Sequence, residues 1–460
     1  MSAYTTVNPY TQPKFAIASL SLGTNTHHDI PTKVRVTSNL GYDGIEIFIP
    51  DFEAFVDEVK RGKHTELFTE PISSCSSIEL DLACATAISN LCNSFGLEIP
   101  LFQPLRNFEN FHSQKEIDVG LAEAERWLRI MPAMKCDLLL VCSNHLPGPC
   151  PISEDYTVDM YNDKQVNAFR QLGALAENYG VRIGYEPLSW GTVIDNWMQV
   201  WNIVKRVDRK NVGILLDSFN TLGNQYADPG QASTIRRGQT LAAMLSNLEE
   251  MTMTIPREKI FFYQIADAVR PAGICLDDIN MPRRMKWSRA CRVFPCEPPD
   301  SSSAKETISH PENPPSGYLG FLPVTQMTSL LHRMGYRGWW SLEVFNSSLQ
   351  ESDNGCPERH GRRGIDGLHA LWDVVQTLTD DKLSRDLEAF FDTGRRATPS
   401  PTMLTPPLSS GSISDASELS SPLSDSEFEM ELPEALHRVA ICDRSTDNNS
   451  GVDELKVKHD

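Results

Sequence analysis

Residues 181-VRIGYEPLSWG-191 set a glutamate, Glu186, at the end of a short apolar run, then follow it with a proline, a tryptophan and a glycine. Branched and aromatic residues in so short a run read as a strand. Pro187, which has no N–H to donate, and Gly191 read as its end. A lone carboxylate at the end of a buried strand is costly unless it is paired or binds an ion. The next apolar run, 212-VGILLD-217, repeats the design and closes on Asp217.

The same unit recurs along the chain. Strands are predicted at 15-FAIASLS-21, 44-GIEIFI-49, 97-LEIPLFQ-103, 137-DLLLVCS-143, 181–186, 212–217, 259-KIFFYQI-265 and 338-GWWSLEV-344. Stretches of helical periodicity separate them near 31–40, 77–95, 115–134, 159–179, 194–207, 233–250 and 322–335, with a last one at 364–395. Strands alternating with helices form a parallel sheet, and eight such units predict an α/β fold of the (β/α)8 type, a TIM barrel.

Two segments break the pattern. The Pro/Ser-rich 297-EPPDSSSAKETISHPENPPSG-317 is expected to be a mobile surface insertion. Residues 397–432 hold ten serines and six acidic residues and no Lys or Arg, too little apolar surface to offset the entropy of ordering. The expected organisation is an N-terminal extension at 1–13, a catalytic barrel at 14–395, and a disordered acidic Ser/Pro-rich tail at 396–460. Ser400, Ser421 and Ser424 lie in phosphorylation-like surroundings, but the preferred reading is a simple solvated tail.

Composition narrows the function. The chain has 460 residues, 40% hydrophobic and 22% charged, and no run approaches the roughly 20 apolar residues of a membrane span. MSAYTTVNPYTQPK carries neither the basic nor the apolar region of a secretory signal, so a soluble cytoplasmic protein is expected. The eleven cysteines are an odd number with no CxxC spacing, which fits neither a disulfide framework nor a zinc-thiolate site. A net charge of −19 works against a nucleic-acid partner.

A TIM barrel builds its active site at the carboxyl ends of its strands. The polar residues there are Glu186, Asp217, Gln264 within FFYQIAD and Glu343 within WWSLEVF. Three carboxylates and an amide converging on one mouth form an all-oxygen site suited to a hard or borderline divalent cation. For each acid singly, a salt bridge or a cap on the following helix is the alternative. Arg106 after the third strand, and Arg289 and Arg292 in 286-KWSRACRVFPCE-297, could orient a carboxylate through their planar forks, or lie on the surface. His145 could be a ligand, a base or a rim residue. Glu46 reads as a buried hydrogen-bond partner, Trp190 as a pocket wall, and Trp339 and Trp340 as packing.

Taken together, FAIASLSLG, GYDGIEIF, QPLRNFE, YEPLSWG, ILLDSFN, FFYQIADA, RVFPCE and GYRGWWSLEVFN resemble the fungal 3-dehydroshikimate dehydratases, within the sugar-phosphate isomerase/epimerase barrel superfamily. The resemblance runs from about residue 14 to 350. It implies a divalent metal, Mg²⁺, Mn²⁺ or Co²⁺, on Glu186, Asp217, Gln264 and Glu343. It also implies 3-dehydroshikimate as substrate, held by Arg106, Arg289 and Arg292, and protocatechuate as product. The candidates for proton transfer are a metal-bound carboxylate, Glu186 or Glu343, then His145 and a metal-bound water. Bacterial relatives carry a histidine three residues after the metal-binding aspartate where this chain has Asn220, a polar contact for substrate that cannot act as a base. A ketose epimerase or isomerase of the same superfamily, and an inactive regulatory barrel, are the alternatives. An endonuclease relative would need a histidine-rich zinc site and a basic surface. Oligomeric state is left open.

Overall fold

The computed structural model describes residues 11–69, 76–146, 148–278, 281–299 and 317–379. Ten strands lie among them: β1 Phe15–Ala18, β2 Gly44–Phe48, β3 Phe102–Leu105, β4 Leu138–Cys142, β5 Arg182–Glu186, β6 Val212–Asp217, β7 Ile260–Ile265, β8 Asp267–Ala268, β9 Arg292–Val293 and β10 Trp340–Leu342. Eight close a parallel barrel in the order β1-β10-β7-β6-β5-β4-β3-β2, and β8 and β9 form a separate antiparallel pair. The fold is the expected (β/α)8 barrel.

Alternation along each strand decides what the barrel encloses. Leu138, Leu140, Cys142, Leu215 and Phe262 belong to a small apolar cluster distinct from the main core. Their neighbours Leu139, Val141, Ile214, Leu216 and Tyr263 pack in the larger one, with the helices. Successive side chains on a strand point to opposite faces. The small cluster therefore fills the lumen, and Glu186, Asp217, Gln264 and Glu343, in phase with it, cap the lumen at its carboxyl end.

Eleven helices lie among the described residues: α1 Ile30–Asn39, α2 Ile49–Lys60, α3 Ser77–Ser94, α4 Gln114–Met134, α5 Val158–Glu177, α6 Trp197–Val207, α7 Ser218–Gln225, α8 Leu241–Thr254, α9 Arg283–Cys291, α10 Val324–Arg333 and α11 Cys356–Thr379. Their starts follow the usual capping chemistry. Asp29, Ser113, Thr157, Asn196 and Thr240 each accept a hydrogen bond from a first-turn N–H.

Several boundaries differ from the sequence expectation. The third strand starts at Phe102 instead of Leu97, because Pro100 cannot donate to the ladder and Glu98 makes only an isolated bridge to Gly44. Ser19–Leu22 is a 3-10 turn instead of the end of β1. The helix expected over 233–250 starts at Leu241, capped by Thr240. Helices α2, α7 and α9 were not anticipated. In α9, RRMKWSRAC buries only Trp287 and Ser288, so it carries no apolar stripe to signal a helix. The expected final helix is described from Cys356 to Thr379; its remainder, the tail at 396–460, residues 1–10 and residues 300–316 of the insertion lie outside the described residues. No helix among the described residues is long and apolar enough to cross a membrane.

Candidate active site

Glu186, Asp217 and Glu343 are buried, and each has a carboxylate oxygen within 4.8 Å of one on the others. Strand register brings them together: Glu186 pairs with Cys142, and Asp217 pairs with Gln264, which also pairs with Ser341 two residues before Glu343. Asp217 is also the N-cap of α7. Its Oδ1 accepts from the N–H groups of Phe219 (2.6 Å) and Asn220 (3.2 Å), leaving Oδ2 for the site. Helix capping and membership of the site are thus one arrangement.

Arg292 is the counter-charge. The β8–β9 pair carries it across the mouth, Ala268 opposite Arg292. Its Nη1 donates to Asp217 Oδ2 (2.7 Å), Glu343 Oε2 (3.2 Å) and the Glu343 carbonyl (2.9 Å), and its Nε donates to Ser288 Oγ (2.9 Å). The guanidinium lies over the rings of Phe219 and Phe345. Asn220 also holds the acids: its Nδ2 donates to Glu186 Oε1 (2.7 Å) and Asp217 Oδ2 (3.0 Å), and its Oδ1 accepts from Ser189 N–H (3.0 Å). Contrary to the expectation of a substrate contact, Asn220 is 1% exposed and absent from the cavity wall.

Burial pushes Glu186 well above the usual carboxylate range. The Glu343 and Asp217 charges push it the same way, against Arg292 and Asn220. Burial raises Glu343 as well, with Arg292 opposing. Three acids and one guanidinium leave a surplus of negative charge that a cation would offset. Gln264 fits the same purpose. Its Nε2 donates to Glu46 Oε2 (2.7 Å), while its buried Oε1 has no hydrogen-bond partner. A buried amide oxygen without a partner, on the residue paired in register with Asp217, is the kind of acceptor a hard cation takes. A second acid–histidine group, Asp29, Glu58 and His64, is accounted for by the bond from His64 to Glu58 (3.0 Å) on the outer face.

A cavity of about 390 Å³ opens onto Glu186 and Glu343, in the range of small-molecule sites. Arg106, Arg289, Arg292 and His145 line it, and Trp190 is on its wall as expected. Arg106 and Arg289 are exposed, whereas Arg292 lies beneath among the acids. Asp217 and Gln264 sit deeper than the wall. Sequence reading missed Gln103, Phe48, Met285 and Phe345, which also line the cavity. Gln103 ends the run 97-LEIPLFQ-103, so the polar strand-end criterion could have found it, whereas the apolar Phe48 at the end of β2 gave no such signal. Met285 comes from α9, which gave no signal.

Residues 34–367 match the family described as xylose isomerase-like TIM barrel. The 3-dehydroshikimate dehydratase of Neurospora crassa is 30% identical over 358 residues, 76% of this chain and 91% of that protein. The Pseudomonas putida protein of the same name is 30% identical over 77% of this chain, which spans 41% of its length. A solved xylose isomerase-like TIM barrel/4-hydroxyphenylpyruvate dioxygenase fusion protein superposes with a TM-score of 0.53 at 26% identity, covering 86% of this chain and 46% of that one. The chain thus spans less than half of these two longer relatives. Continuity of the match from α1 to α11, and across nearly all of the fungal protein, places the chain in the xylose isomerase-like TIM-barrel family, in the group of the fungal 3-dehydroshikimate dehydratases.

Proposed function

We propose that the protein converts 3-dehydroshikimate to protocatechuate by loss of water, in the cytoplasm, with catalysis in residues 14–395. The observation that carries this reading is the pairing of an acid-rich, amide-completed ligand set with a cavity whose wall bears arginines. Glu186, Asp217, Gln264 and Glu343 would hold Mg²⁺, Mn²⁺ or Co²⁺. When bound, such an ion supplies Lewis acidity, stabilising negative charge that develops on the ring ketone oxygen.

The rest falls to the chain. Arg106 and Arg289 pair with the substrate carboxylate at the mouth, where a planar fork matches it bidentately. That contact holds the ring with its ketone toward the acids. The C–H beside the ketone gives up its proton, the hydroxyl one carbon further leaves as water, and tautomerisation yields the aromatic product. His145, which lines the cavity, takes the proton. Glu186 and Glu343, the other candidates for proton transfer, would be deprotonated while they hold the cation, so the proton taken up by His145 is the one that leaves with the hydroxyl as water. Trp190 and Phe345 exclude water. An epimerase acting on a neutral sugar has no use for Arg106 and Arg289.

Purified protein given 3-dehydroshikimate with each of the three ions should develop protocatechuate absorbance, and EDTA should abolish it. No product with any ion overturns the assignment. Glu343→Ala should lower kcat on the order of 10²-fold or more while the circular-dichroism spectrum stays that of a folded barrel.

A further inference from the structure

Glu46 lies in the middle of β2, fully buried in the lumen, and is not on the cavity wall. Its Oε2 accepts two amide hydrogen bonds, from Gln103 Nε2 on β3 (2.9 Å) and from Gln264 Nε2 on β7 (2.7 Å). Around the barrel β2 and β7 are separated by β1 and β10, so Glu46 reaches across the interior to Gln264. A glutamine amide can present either its oxygen or its NH₂ on a given side at little intrinsic cost, and its neighbours decide which. Near Glu186, Asp217 and Glu343 alone, electrostatics would turn the NH₂ toward the acids, where it could donate. Instead Nε2 is committed to Glu46, and the buried Oε1 is left without a partner.

We propose that Glu46 is a positioning residue for the cation site: by holding the NH₂ of Gln264, it turns that amide's oxygen into the fourth ligand. Gln103, which lines the cavity, donates to the same Glu46 oxygen. The inference rests on the ligand set proposed above. It adds that a glutamine can complete that set only because a carboxylate on the far side of the barrel fixes which way the amide faces. Outer partners of metal ligands typically carry 10–100-fold in metal affinity.

The test is calorimetric titration of the full chain with Mn²⁺ alone, with circular dichroism recording the fold of each variant. Glu46→Ala should bind Mn²⁺ about 10–100-fold more weakly than the unaltered protein. Glu46→Gln keeps one acceptor oxygen at the same reach and should fall between the two, and it carries the test alone if Glu46→Ala does not fold. Gln264→Ala serves as the reference for loss of the ligand itself. If Gln264→Ala weakens binding while folded Glu46→Ala and Glu46→Gln bind as the unaltered protein does, the positioning role is overturned and the ligand set stands. If the unaltered protein binds no Mn²⁺, or Gln264→Ala binds it normally, the ligand set fails and the inference with it.

Discussion

Arg292 and Asp217 form an ion pair of 2.7 Å in which the side chains are only 1% and 0% exposed. A guanidinium so enclosed is held by its charge partners and by the faces of Phe219 and Phe345. Without it, Asp217, Glu186 and Glu343 would face one another with no internal cation.

Arg292→Gln should therefore destabilise the metal-free protein by about 3–5 kcal/mol, the usual consequence of orphaning a buried charge. Because the variant removes positive charge beside the acids, Mn²⁺ should bind it more tightly and raise its melting temperature further than that of the unaltered protein. Equal Mn²⁺-induced shifts in the two melts would show that Arg292 does not share the space of the cation.

Arg106 is exposed on the cavity wall, with its guanidinium 5.8 Å from the Phe48 ring centre. A contact to the substrate carboxylate, remote from the reacting carbons, is made equally in ground and transition states. Arg106→Ala should raise KM about tenfold or more with kcat little changed, and Arg106→Lys should recover part of the loss. Steady-state kinetics decide: a fall in kcat at constant KM would move Arg106 to the reacting centre.

Asp267 ties the turn after β7 to the chain that follows the insertion, accepting from Ala268 N–H (2.7 Å) and Leu322 N–H (2.9 Å). Burial pushes its carboxyl from an ordinary 3.8 up to about 7, against those backbone donors. With the folded pKa above the unfolded one, the unfolded chain gives up this proton first. Stability is full below about pH 4 and is lost as pH rises to about 7, by about 4 kcal/mol at most. Urea unfolding across that range should show the decline, and Asp267→Asn should flatten it. An unchanged slope in the variant would exclude Asp267 as its source.

A methyl group on Gly191 would sit 1.9 Å from the Ile194 carbonyl oxygen and 2.9 Å from Ser143 Oγ, the hydroxyl that accepts from Leu188 N–H. Gly191→Ala should cost about 1–3 kcal/mol of stability. It should also raise KM by displacing the Leu188–Trp190 stretch from the cavity wall. A melt and a KM both equal to those of the unaltered protein would mean that the turn relaxes without consequence.

The eight barrel strands were legible because branched and aromatic residues cluster at intervals set by the helices between them. The polar ends of the last four were legible because Glu, Asp and Gln stand out against apolar runs. Helix α9 and the β8–β9 pair were not, since neither carries a period. The sequence by itself therefore determined the barrel and the residue types at its mouth, which depend on local pattern and strand alternation. Only the tertiary structure decided how the polar groups divide the work. Arg292 and Arg289 stand three positions apart, yet one is buried among the acids and the other faces the cavity. Asn220 grips two carboxylates instead of facing the cavity, and Glu46 reaches Gln264 across the lumen. Those assignments depend on which atoms meet when distant strands close into a ring, a long-range geometry that no local pattern encodes.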